Sequence, residues 1–585
     1  MKTIIVAVNS KYIHSSLAPW YLKASCKNNC GTIKVMEFTI NDDPDSVLSR
    51  IYAEDCDVAA FSCYIWNITF VLRVAENLKK VLPAIKIVLG GPEVSYDSEQ
   101  VLKLHPFVDF VISGEGESAF NALLSFLNGR NQELSGIKGL SFREDGRITV
   151  SNYFPLENDL DLIPSPYDEE MLFCVGNRIV YFESSRGCPF SCSYCISSTF
   201  EGVRYFSMDR VKSDLRFLLT AGVKLVKFVD RTFNCNRERV KAIFEFIIDN
   251  AGNTVFHFEA AADLFDEETI EILSRAPKGL IQLEIGIQST NEASLEAVKR
   301  KTNINKVLYY VKRLMELENI HVHVDLIAGL PLEDYSSFKD SFNDAYNLYP
   351  HQLQLGFLKM LKGSAIREEY RKYGYKYREY PPYEVLGNEF LSFEEIVKLK
   401  RIEEVLERYY NSGRFNKSLK YIINGFFYSP FEFYEELSFF YLNEGCFERS
   451  ISSRELYTLL IKFIGESNKK IDLTVLNELL KFDFLVSDNT NNLPLGIERT
   501  YKDSFKTKCF EFLKSGDNIA MFLPQFCGEP PKKVYNKVHF ELFTYDITEN
   551  DGTLPKKDTV ILFNYSERDR VTGQYSFIKI QLPSD

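Results

Sequence analysis

Three cysteines lie close together in the segment GCPFSCSYC, directly after a short apolar stretch typical of a β-strand at residues 179–182. They are Cys188, Cys192 and Cys195, with three and then two residues between them. Thiolates hold iron–sulfur clusters, and three thiolates with no obvious fourth ligand predict a [4Fe-4S] cluster with one iron open to a small molecule. Zinc is the alternative, but zinc prefers four protein ligands in paired sets, and no histidine or second cysteine pair lies nearby.

Length and charge limit the other classes. The chain has 585 residues, with 69 Lys plus Arg against 81 Asp plus Glu and a net charge of −12. This length fits about four domains, and the acidic balance argues against nucleic acid as the main partner. The first residues enter a strand pattern without a signal peptide, and no apolar run approaches the ~20 residues of a membrane span. We therefore expect a cytoplasmic protein with no membrane partner, in which the 12 cysteines form no disulfide framework.

The first 150 residues alternate short apolar strand patterns with helical spacing. The strand patterns cover residues 4–8, 58–62, 87–89 and 110–112. This alternation predicts an α/β fold with a doubly wound, Rossmann-like parallel sheet, in which ligands bind at the carboxyl ends of the strands. Paired glycines in the loops there either let a ligand approach the backbone or form tight turns. Those loops cover residues 9–17, 62–67, 90–93 and 113–117.

A proline-containing connector at residues 161–168 precedes a second unit. Six strand patterns follow, most of them separated by helical spacing, at residues 179–183, 225–230, 255–260, 281–287, 321–327 and 353–358. Six β/α repeats predict a partial (β/α)6 barrel, and catalysis is expected at the carboxyl ends of its strands. Four of those ends read DRTFN, EAAAD, EIGIQS and DLIAGLP.

The cysteine pattern, with Tyr194 before the third cysteine, and the four strand ends resemble the radical S-adenosylmethionine (SAM) superfamily. In that family the open iron of a [4Fe-4S] cluster chelates the amino and carboxylate groups of SAM. The resemblance implies that the cluster is held by the three cysteines and that SAM is contacted by Tyr194, Asp230, Asn234, Glu259, Gln288, Ser289 and Leu330. The alternative is structural: Asp230 and Asn234 cap the next helix, and Glu284 pairs with a lysine on a neighbouring strand.

The loops of the first unit, taken in order, resemble the cobalamin-binding domain found before many radical SAM modules. The resemblance implies a cobalamin site made by Asn9, Tyr12, His14, Ser62, Tyr64, Gly90, Gly91, Pro92, Glu93, Gly114, Glu115 and Gly116. Relatives that ligate cobalt through a histidine carry Asp-x-His-x-x-Gly, whereas this chain has Tyr12, His14 and Leu17 at those positions. Because the orienting Asp and the Gly are missing, we expect His14 to line the pocket or cap the following helix, and the lower face of cobalamin to be free of histidine.

The resemblance implies that the difficult chemistry belongs to the cofactors. A 5′-deoxyadenosyl radical made from SAM takes a hydrogen from the substrate, and methylcobalamin gives its methyl group to that carbon. The leading hypothesis is a cobalamin-dependent radical SAM methyltransferase acting on an unactivated carbon under anaerobic conditions. We expect a small-molecule or peptide substrate and a low-potential electron donor such as flavodoxin or ferredoxin. A radical rearrangement or cyclisation without methyl transfer is one alternative, and a non-catalytic cobalamin or redox sensor is another.

The composition changes past residue 375. Helical spacing and dense aromatics, which we interpret as helix-packing core, precede alternating patterns that predict a small antiparallel sheet. This region resembles a tail found on a subset of cobalamin-binding radical SAM proteins, and we expect it to close the barrel mouth. The predicted domains are a cobalamin-binding domain at 1–150, a linker at 151–175, a radical SAM core at 176–375 and a mixed α+β extension at 376–585.

Overall fold

The computed structural model describes residues 1–129, 133–151, 153–200, 202–467, 469–490, 492–500, 504–548 and 554–582. Two large, mainly parallel sheets and a C-terminal region of helices and a small sheet make up this part of the chain. None of its helices combines the length and the apolar character that crossing a membrane requires.

Seven strands form the first sheet: β1 Lys2–Asn9, β2 Thr32–Thr39, β3 Val58–Ser62, β4 Lys86–Gly90, β5 Phe110–Ile112, β6 Leu140–Glu144 and β7 Arg147–Thr149. They lie in the order β2-β1-β3-β4-β5-β6-β7. Strands β1 to β5 are parallel, which confirms the predicted sheet, and β6 and β7 extend one edge antiparallel. Strands β2, β6 and β7 were not predicted.

Helices cover both faces of this sheet, so β1 is buried from Thr3 to Asn9. In the third helix, Val71, Val74 and Leu78 share one face and are buried, as their spacing predicts. The helices are α1 Ala18–Ser25, α2 Pro44–Tyr52, α3 Ile68–Val81, α4 Pro92–Ser95, α5 Ser98–Leu104 and α6 Gly116–Leu127, with 3-10 turns at Asn28–Cys30 and Leu134–Gly136.

The second sheet and a neighbouring hairpin contain β8 Val180–Phe182, β9 Ser185–Gly187, β10 Val203–Tyr205, β11 Leu225–Phe228, β12 Val255–Ala260, β13 Ile281–Gln288, β14 His321–Ala328 and β15 Gln352–Phe357. Strands β9 and β10 pair antiparallel with each other. The other six are all parallel, in the order β15-β14-β13-β12-β11-β8. This open, six-stranded arrangement confirms the predicted partial barrel.

Helices alternate with the barrel strands and cover their outer side. They are α7 Glu169–Val175, α8 Met208–Thr220, α9 Arg237–Asn250, α10 Glu267–Ser274, α11 Glu292–Ala297, α12 Ile304–Met315 and α13 Tyr335–Tyr346. Short 3-10 turns lie at Leu160–Leu162, Ile196–Thr199, Phe233–Cys235 and Ala262–Leu264. In β13 the apolar Ile281, Leu283 and Ile285 are buried, while the alternate residues, including Glu284, face the barrel interior.

The C-terminal region begins with small elements, continues as helices and ends in a three-stranded antiparallel sheet. The aromatics predicted as helix-packing core, such as Phe431, Tyr434 and Tyr441, are buried. Its elements are α14 Ala365–Glu368, β16 Lys376–Tyr377, β17 Val385–Gly387, α15 Phe393–Tyr409, α16 Asn416–Phe426, α17 Pro430–Asn443, α18 Ser453–Glu466, α19 Leu473–Ser487, α20 Phe505–Lys514, α21 Gly516–Phe522, α22 Pro531–Tyr535, β18 Val538–Tyr545, β19 Lys556–Arg568 and β20 Tyr575–Ile580, with 3-10 turns at Tyr370–Tyr373 and Pro524–Phe526.

The C-terminal sheet lies at the amino ends of the barrel strands. Arg570 donates from Nη2 to Oδ1 of Asn253 at 3.1 Å, and Lys278 Nζ lies 2.6 Å from Asp569 Oδ2. Asn253 and Lys278 precede β12 and β13, so this contact is opposite the cluster loop. The expectation that the extension closes the barrel mouth is therefore wrong for its sheet. A segment that includes Tyr375 and Asn388 does reach the carboxyl end of β14, where both side chains donate to Gly329 O.

Candidate cofactor-binding site

The cluster loop, residues 188–195, connects β9 to the 3-10 turn Ile196–Thr199. Two backbone hydrogen bonds of 2.9 Å hold it: Ser193 N donates to Val298 O, and Ile366 N donates to Ser193 O. In the described part of the chain, no histidine and no fourth cysteine lines the cavity of about 190 Å³ that the loop borders. Its thiols come from the predicted residues Cys188, Cys192 and Cys195.

Polar groups from three strands face the thiols across this cavity. Glu259 lies at the end of β12, Gln288 at the end of β13 and Asp325 in β14. Gln288 has a φ of +70°, and its Oε1 is buried without a hydrogen-bond partner among the described residues. Since buried polar atoms are normally paired, this oxygen is suited to accept a hydrogen bond from a ligand.

Arg300 also lines the cavity, although no strand-end pattern pointed to it. It lies beyond α11, and its Nη1 is 3.4 Å from the hydroxyl of Tyr194 and 3.9 Å from Cys192 Sγ. A guanidinium beside the thiols suits the carboxylate of an amino-acid ligand. In the sequence Arg300 belongs to the basic run KRK, which is typical of a solvated surface, so only the fold reveals its place.

Burial and neighbouring charges shift the pKa values of two carboxyl groups of this cavity in opposite directions. Burial raises the pKa of Glu259 to about 7, and the charge of Arg231 opposes this only in part. Burial also disfavours ionised Glu284, but a 2.8 Å hydrogen bond with His257 Nε2 and the ammonium of Lys227 at 3.1 Å outweigh it and lower its pKa to about 2. Glu284 therefore does pair with a lysine, but Lys227 lies on β11, which β12 separates from β13, and not on the neighbouring strand.

Two of the predicted SAM residues are used inside the protein and do not line the cavity. The buried carboxylate of Asp230 accepts hydrogen bonds from the backbone N of Ser184 at 2.9 Å and from its hydroxyl at 2.6 Å. The amide of Asn234 donates to Ala261 O at 2.8 Å and accepts from Ala261 N at 2.9 Å. Both side chains thus join neighbouring strand ends, rather than capping the next helix.

Ser289 and Leu330 are also fully buried and outside the cavity lining. The hydroxyl of Ser289 donates to the carboxylate of Glu333. Tyr194, Glu259 and Gln288 are therefore the predicted SAM residues that the fold brings to the thiols, and Arg231, Arg300 and Asp325 join them.

A second cavity, of about 250 Å³, lies between the first sheet and helices α1 and α6. Gly91 has a φ of +109°, and a Cβ there would lie 2.6 Å from the carbonyl oxygen of Cys63, so only glycine fits. Apolar side chains such as Ile5, Val88 and Phe120 form much of its wall, which suits a flat aromatic base. The lining includes the predicted residues Ser62, Tyr64, Gly90, Gly91, Pro92, Gly114, Glu115 and Gly116.

A third cavity, of about 370 Å³, separates the first sheet from the barrel. Tyr64 and Gly91 line it from the sheet, and Ser197 and Phe200 line it from the segment after the cluster loop. Arg231 lines both this cavity and the thiol cavity. The two spaces therefore meet at one side chain.

Arg186, next to the cluster loop, is the cation that pairs with acidic side chains between the first sheet and the barrel. Its guanidinium is 2.6 Å from Glu117 Oε1 and 2.9 Å from Glu183 Oε2, and it lines the second and third cavities. Burial raises the pKa of Glu183 to about 7 despite this ion pair. Arg186 was not predicted as a site residue: Glu183 is three positions before it, but Glu117 comes from the distant helix α6.

The remaining predicted cobalamin residues have different surroundings. His14 and Asn9 line a cavity of about 420 Å³, where Nδ1 of His14 lies 2.8 Å from the hydroxyl of Tyr181. Burial lowers the pKa of His14, which favours the neutral imidazole. Tyr12 is 80% exposed and lines none of these cavities. Glu93 is buried and lines none of them either.

The residues present fit the implied groups. Three thiols on one cavity are the donor set of a [4Fe-4S] cluster with one open iron. The unpaired oxygen of Gln288 and the guanidinium of Arg300 suit the amino-acid part of SAM. The glycine-bordered cavity beside the sheet suits the nucleotide tail of cobalamin, because backbone groups there are open to close approach.

Family models match three parts of the chain. Residues 3–124 match the B12 binding domain, residues 182–345 match the radical SAM superfamily, and residues 371–563 match a family described as "Protein of unknown function (DUF4080)".

Curated relatives and solved structures agree with these matches. The chain is 27% identical over 337 residues to the cobalamin-dependent radical SAM methyltransferase TokK of Streptomyces tokunonensis, covering 54% of this chain and 49% of TokK. It is 28% identical to an anaerobic magnesium-protoporphyrin IX monomethyl ester cyclase from a Synechocystis species, covering 43% of this chain and 51% of the cyclase. The chain thus spans about half the length of these relatives. The structure of the cobalamin-dependent SAM radical enzyme OxsB, with aqua-cobalamin and SAM bound, superposes with a TM-score of 0.59 at 14% identity, covering 83% of this chain and 78% of OxsB.

The fold and the cavities define an enzyme in which a cobalamin-binding sheet faces a radical SAM barrel. The chain carries the two modules of cobalamin-binding radical SAM enzymes, a B12 binding domain at residues 3–124 and a radical SAM domain at residues 182–345. Its cofactors are a [4Fe-4S] cluster, SAM and cobalamin, which confirms the prediction from the loops and the cysteines.

Proposed function

We propose that the protein is a methyltransferase that transfers a methyl group to an unactivated carbon. The observation that carries this proposal is the junction at Arg231, where the thiol cavity meets the cavity beside the first sheet. The proposed reaction needs one substrate carbon within reach of both cofactors, because one cofactor removes its hydrogen and the other supplies the methyl group. Positioning of this kind supplies much of an enzyme's rate. The name of TokK as a methyltransferase supports the same reaction.

When bound, the cluster with SAM supplies a 5′-deoxyadenosyl radical, and cobalamin supplies a methyl group. The protein's own groups bind and orient. We infer that Arg300 and Gln288 hold the carboxylate and amino group of SAM, because both have buried polar atoms facing the cavity. Glu259 and Asp325 accept hydrogen bonds from the ribose hydroxyls, since carboxyl oxygens have lone pairs for such donors.

The substrate proposed is a small molecule or a peptide, bound in the cavity of about 370 Å³ beside Arg231. That cavity has aromatic walls, among them Tyr64, Tyr96 and Phe200, which exclude water from a reacting carbon. The proposed electron donor is a low-potential protein such as flavodoxin or ferredoxin, and the proposed location is the cytoplasm.

Isotope transfer tests this function. Anaerobic protein holding cob(I)alamin is mixed with SAM labelled in its methyl group; we expect labelled methylcobalamin and S-adenosylhomocysteine. A reductant and a small-molecule extract of the source cells are then added, and a labelled product and 5′-deoxyadenosine should appear together. Absence of labelled methylcobalamin would refute methyl transfer.

A radical cyclisation is the second candidate, because relatives of this chain include a magnesium-protoporphyrin IX monomethyl ester cyclase. The same experiment separates the two reactions. Cyclisation yields 5′-deoxyadenosine without S-adenosylhomocysteine and leaves the product without the label. Failure to cleave SAM under any condition would favour the sensor hypothesis instead.

A further inference from the structure

The region of unknown function begins as an extension of the barrel sheet at its carboxyl end. Residues 383–385 pair with residues 358–360, which directly follow β15. Met360 N donates to Tyr383 O at 2.8 Å, and Val385 N donates to Leu358 O at 2.9 Å. The first part of this region is therefore fixed to the barrel wall beside the cofactor cavities.

Residues 375–388 also contact the loop that follows β14 and fix its position. Gly329 has a φ of +93°, and its carbonyl oxygen accepts hydrogen bonds from Tyr375 Oη at 3.0 Å and from Asn388 Nδ2 at 3.1 Å. A Cβ at Gly329 would lie 2.8 Å from Cγ1 of Val385. Because β14 also carries Asp325, the segment supports a strand that lines the thiol cavity.

Lys362 and Tyr383 also make hydrogen bonds and an ion pair with the cobalamin-binding domain. Glu93 belongs to the turn after Gly91, and its buried carboxylate accepts a 2.8 Å hydrogen bond from Tyr383 Oη. Lys362 Nζ donates to Glu93 O at 3.1 Å and lies 2.9 Å from Asp97 Oδ2. Burial raises the pKa of Glu93, as expected for a carboxyl group taken out of water.

A third set of contacts reaches the cluster loop. Ile366 N donates to Ser193 O, between the second and third cysteines, at 2.9 Å. Gly363 lies against the ring of Tyr96, and a Cβ there would approach that ring to 2.4 Å. The hydroxyl of Tyr96 is 3.1 Å from Thr199 Oγ1, just after the cluster loop. Residues 358–367 and 375–388 together thus contact the turn after Gly91, the cluster loop and the loop after β14.

We propose that residues 358–367 and 375–388, together called the clasp, set the distance between the cobalamin and the cluster. Glu93, Lys362 and Tyr383 are its positioning residues. A buried carboxylate is costly unless it is paired, so these contacts hold the turn after Gly91 in one place. The proposal gives a role to the start of the region of unknown function, and it is independent of the reaction proposed above.

Electron spin resonance tests the clasp without any substrate. In protein loaded with cob(II)alamin and a reduced cluster, the magnetic interaction between the two centres reports their separation. Tyr383→Phe removes one hydroxyl and leaves the carboxylate of Glu93 without its donor. We expect a changed interaction and about tenfold weaker cobalamin binding, at unchanged iron content. The matched control is Tyr380→Phe, because Tyr380 is 65% exposed in the same segment and should behave as the wild type.

Lys362→Met provides the second variant, with Lys359→Met as its exposed control. We expect the Lys362 variant to change the magnetic interaction in the same direction as Tyr383→Phe, and it decides the question if Tyr383→Phe does not fold. A wild-type interaction and wild-type cobalamin affinity in the Lys362 and Tyr383 variants would overturn the proposal. A lower unfolding temperature with an unchanged interaction would also overturn it, since the contacts would then only stabilise the fold.

Discussion

The binding of SAM should depend on pH through Glu259. This residue is the last but one of β12 and lines the thiol cavity, and burial raises its pKa to about 7. An acid with a raised pKa is protonated below that value and ionised above it. The ionised carboxylate is the stronger acceptor for hydroxyl groups, because hydrogen bonds to a charged group are about twice as strong as those to a neutral one. The affinity for SAM should therefore fall as the pH drops through the pKa of Glu259.

The size of the effect follows from the fraction ionised. With a pKa of about 7, that fraction changes about tenfold between about pH 8 and about pH 6, which corresponds to ~1.4 kcal/mol of binding free energy. Equilibrium dialysis of labelled SAM against protein with an intact, oxidised cluster measures the dissociation constant over this range.

Glu259→Gln keeps the size of the side chain but removes the titration. The variant should bind SAM more weakly than the wild type at high pH, and its dissociation constant should not change with pH. Glu238→Gln, on the exposed surface of α9, is the matched control and should keep the wild-type profile. A flat profile in the wild-type protein, or a pH dependence that survives in Glu259→Gln, would refute the reasoning.

Three other predictions concern the cofactors. Replacing any one thiol of the triad by alanine should abolish the reconstituted cluster and SAM cleavage, whereas Cys235→Ala should retain both; full iron content in a triad variant, measured by iron and sulfide analysis, would contradict this. Gly91→Ala should lose cobalt absorbance after desalting but keep the cluster, because the new Cβ meets the Cys63 carbonyl at 2.6 Å. Cob(II)alamin in the wild-type protein should show no nitrogen splitting in spin resonance; a splitting that disappears in His14→Ala would show that the histidine ligates cobalt.

The strands of both sheets were largely predictable because their apolar patterns are local. The predicted patterns at residues 58–62 and 110–112 coincide with β3 and β5, and that at 255–260 coincides with β12. Strand β2, TIKVMEFT, mixes polar and apolar residues because it lies at the edge of its sheet and is only half buried. Strands β6 and β7 join the opposite edge antiparallel, and their pairing depends on contacts that periodicity does not encode.

The site was harder to predict than the fold because strand-end polar residues have two uses. Glu259 and Asp230 both end or follow barrel strands, yet one faces the cavity and the other is surrounded by the backbone and hydroxyl of Ser184. The sequence pattern is the same for both uses, since a buried carboxylate needs donors whether they come from a ligand or from the protein. Arg300 shows the reverse error: a cation in a basic run is only partly exposed, because the chain after α11 brings it back to the thiols.

His14 illustrates how a missing motif residue can be replaced from another domain. Relatives that ligate cobalt orient the histidine with an aspartate two residues earlier, and here that position holds the exposed Tyr12. The hydroxyl of Tyr181, 167 positions away on β8, lies 2.8 Å from Nδ1 of His14 instead. The His14 loop is tied to the same barrel segment, because Ile179 N donates to Ile13 O at 2.9 Å. The imidazole is therefore oriented by the barrel rather than by its own loop, and turning it toward the edge of the first sheet would break the contact with Tyr181. This is the physical reason for expecting cobalamin to bind with its lower face free of histidine.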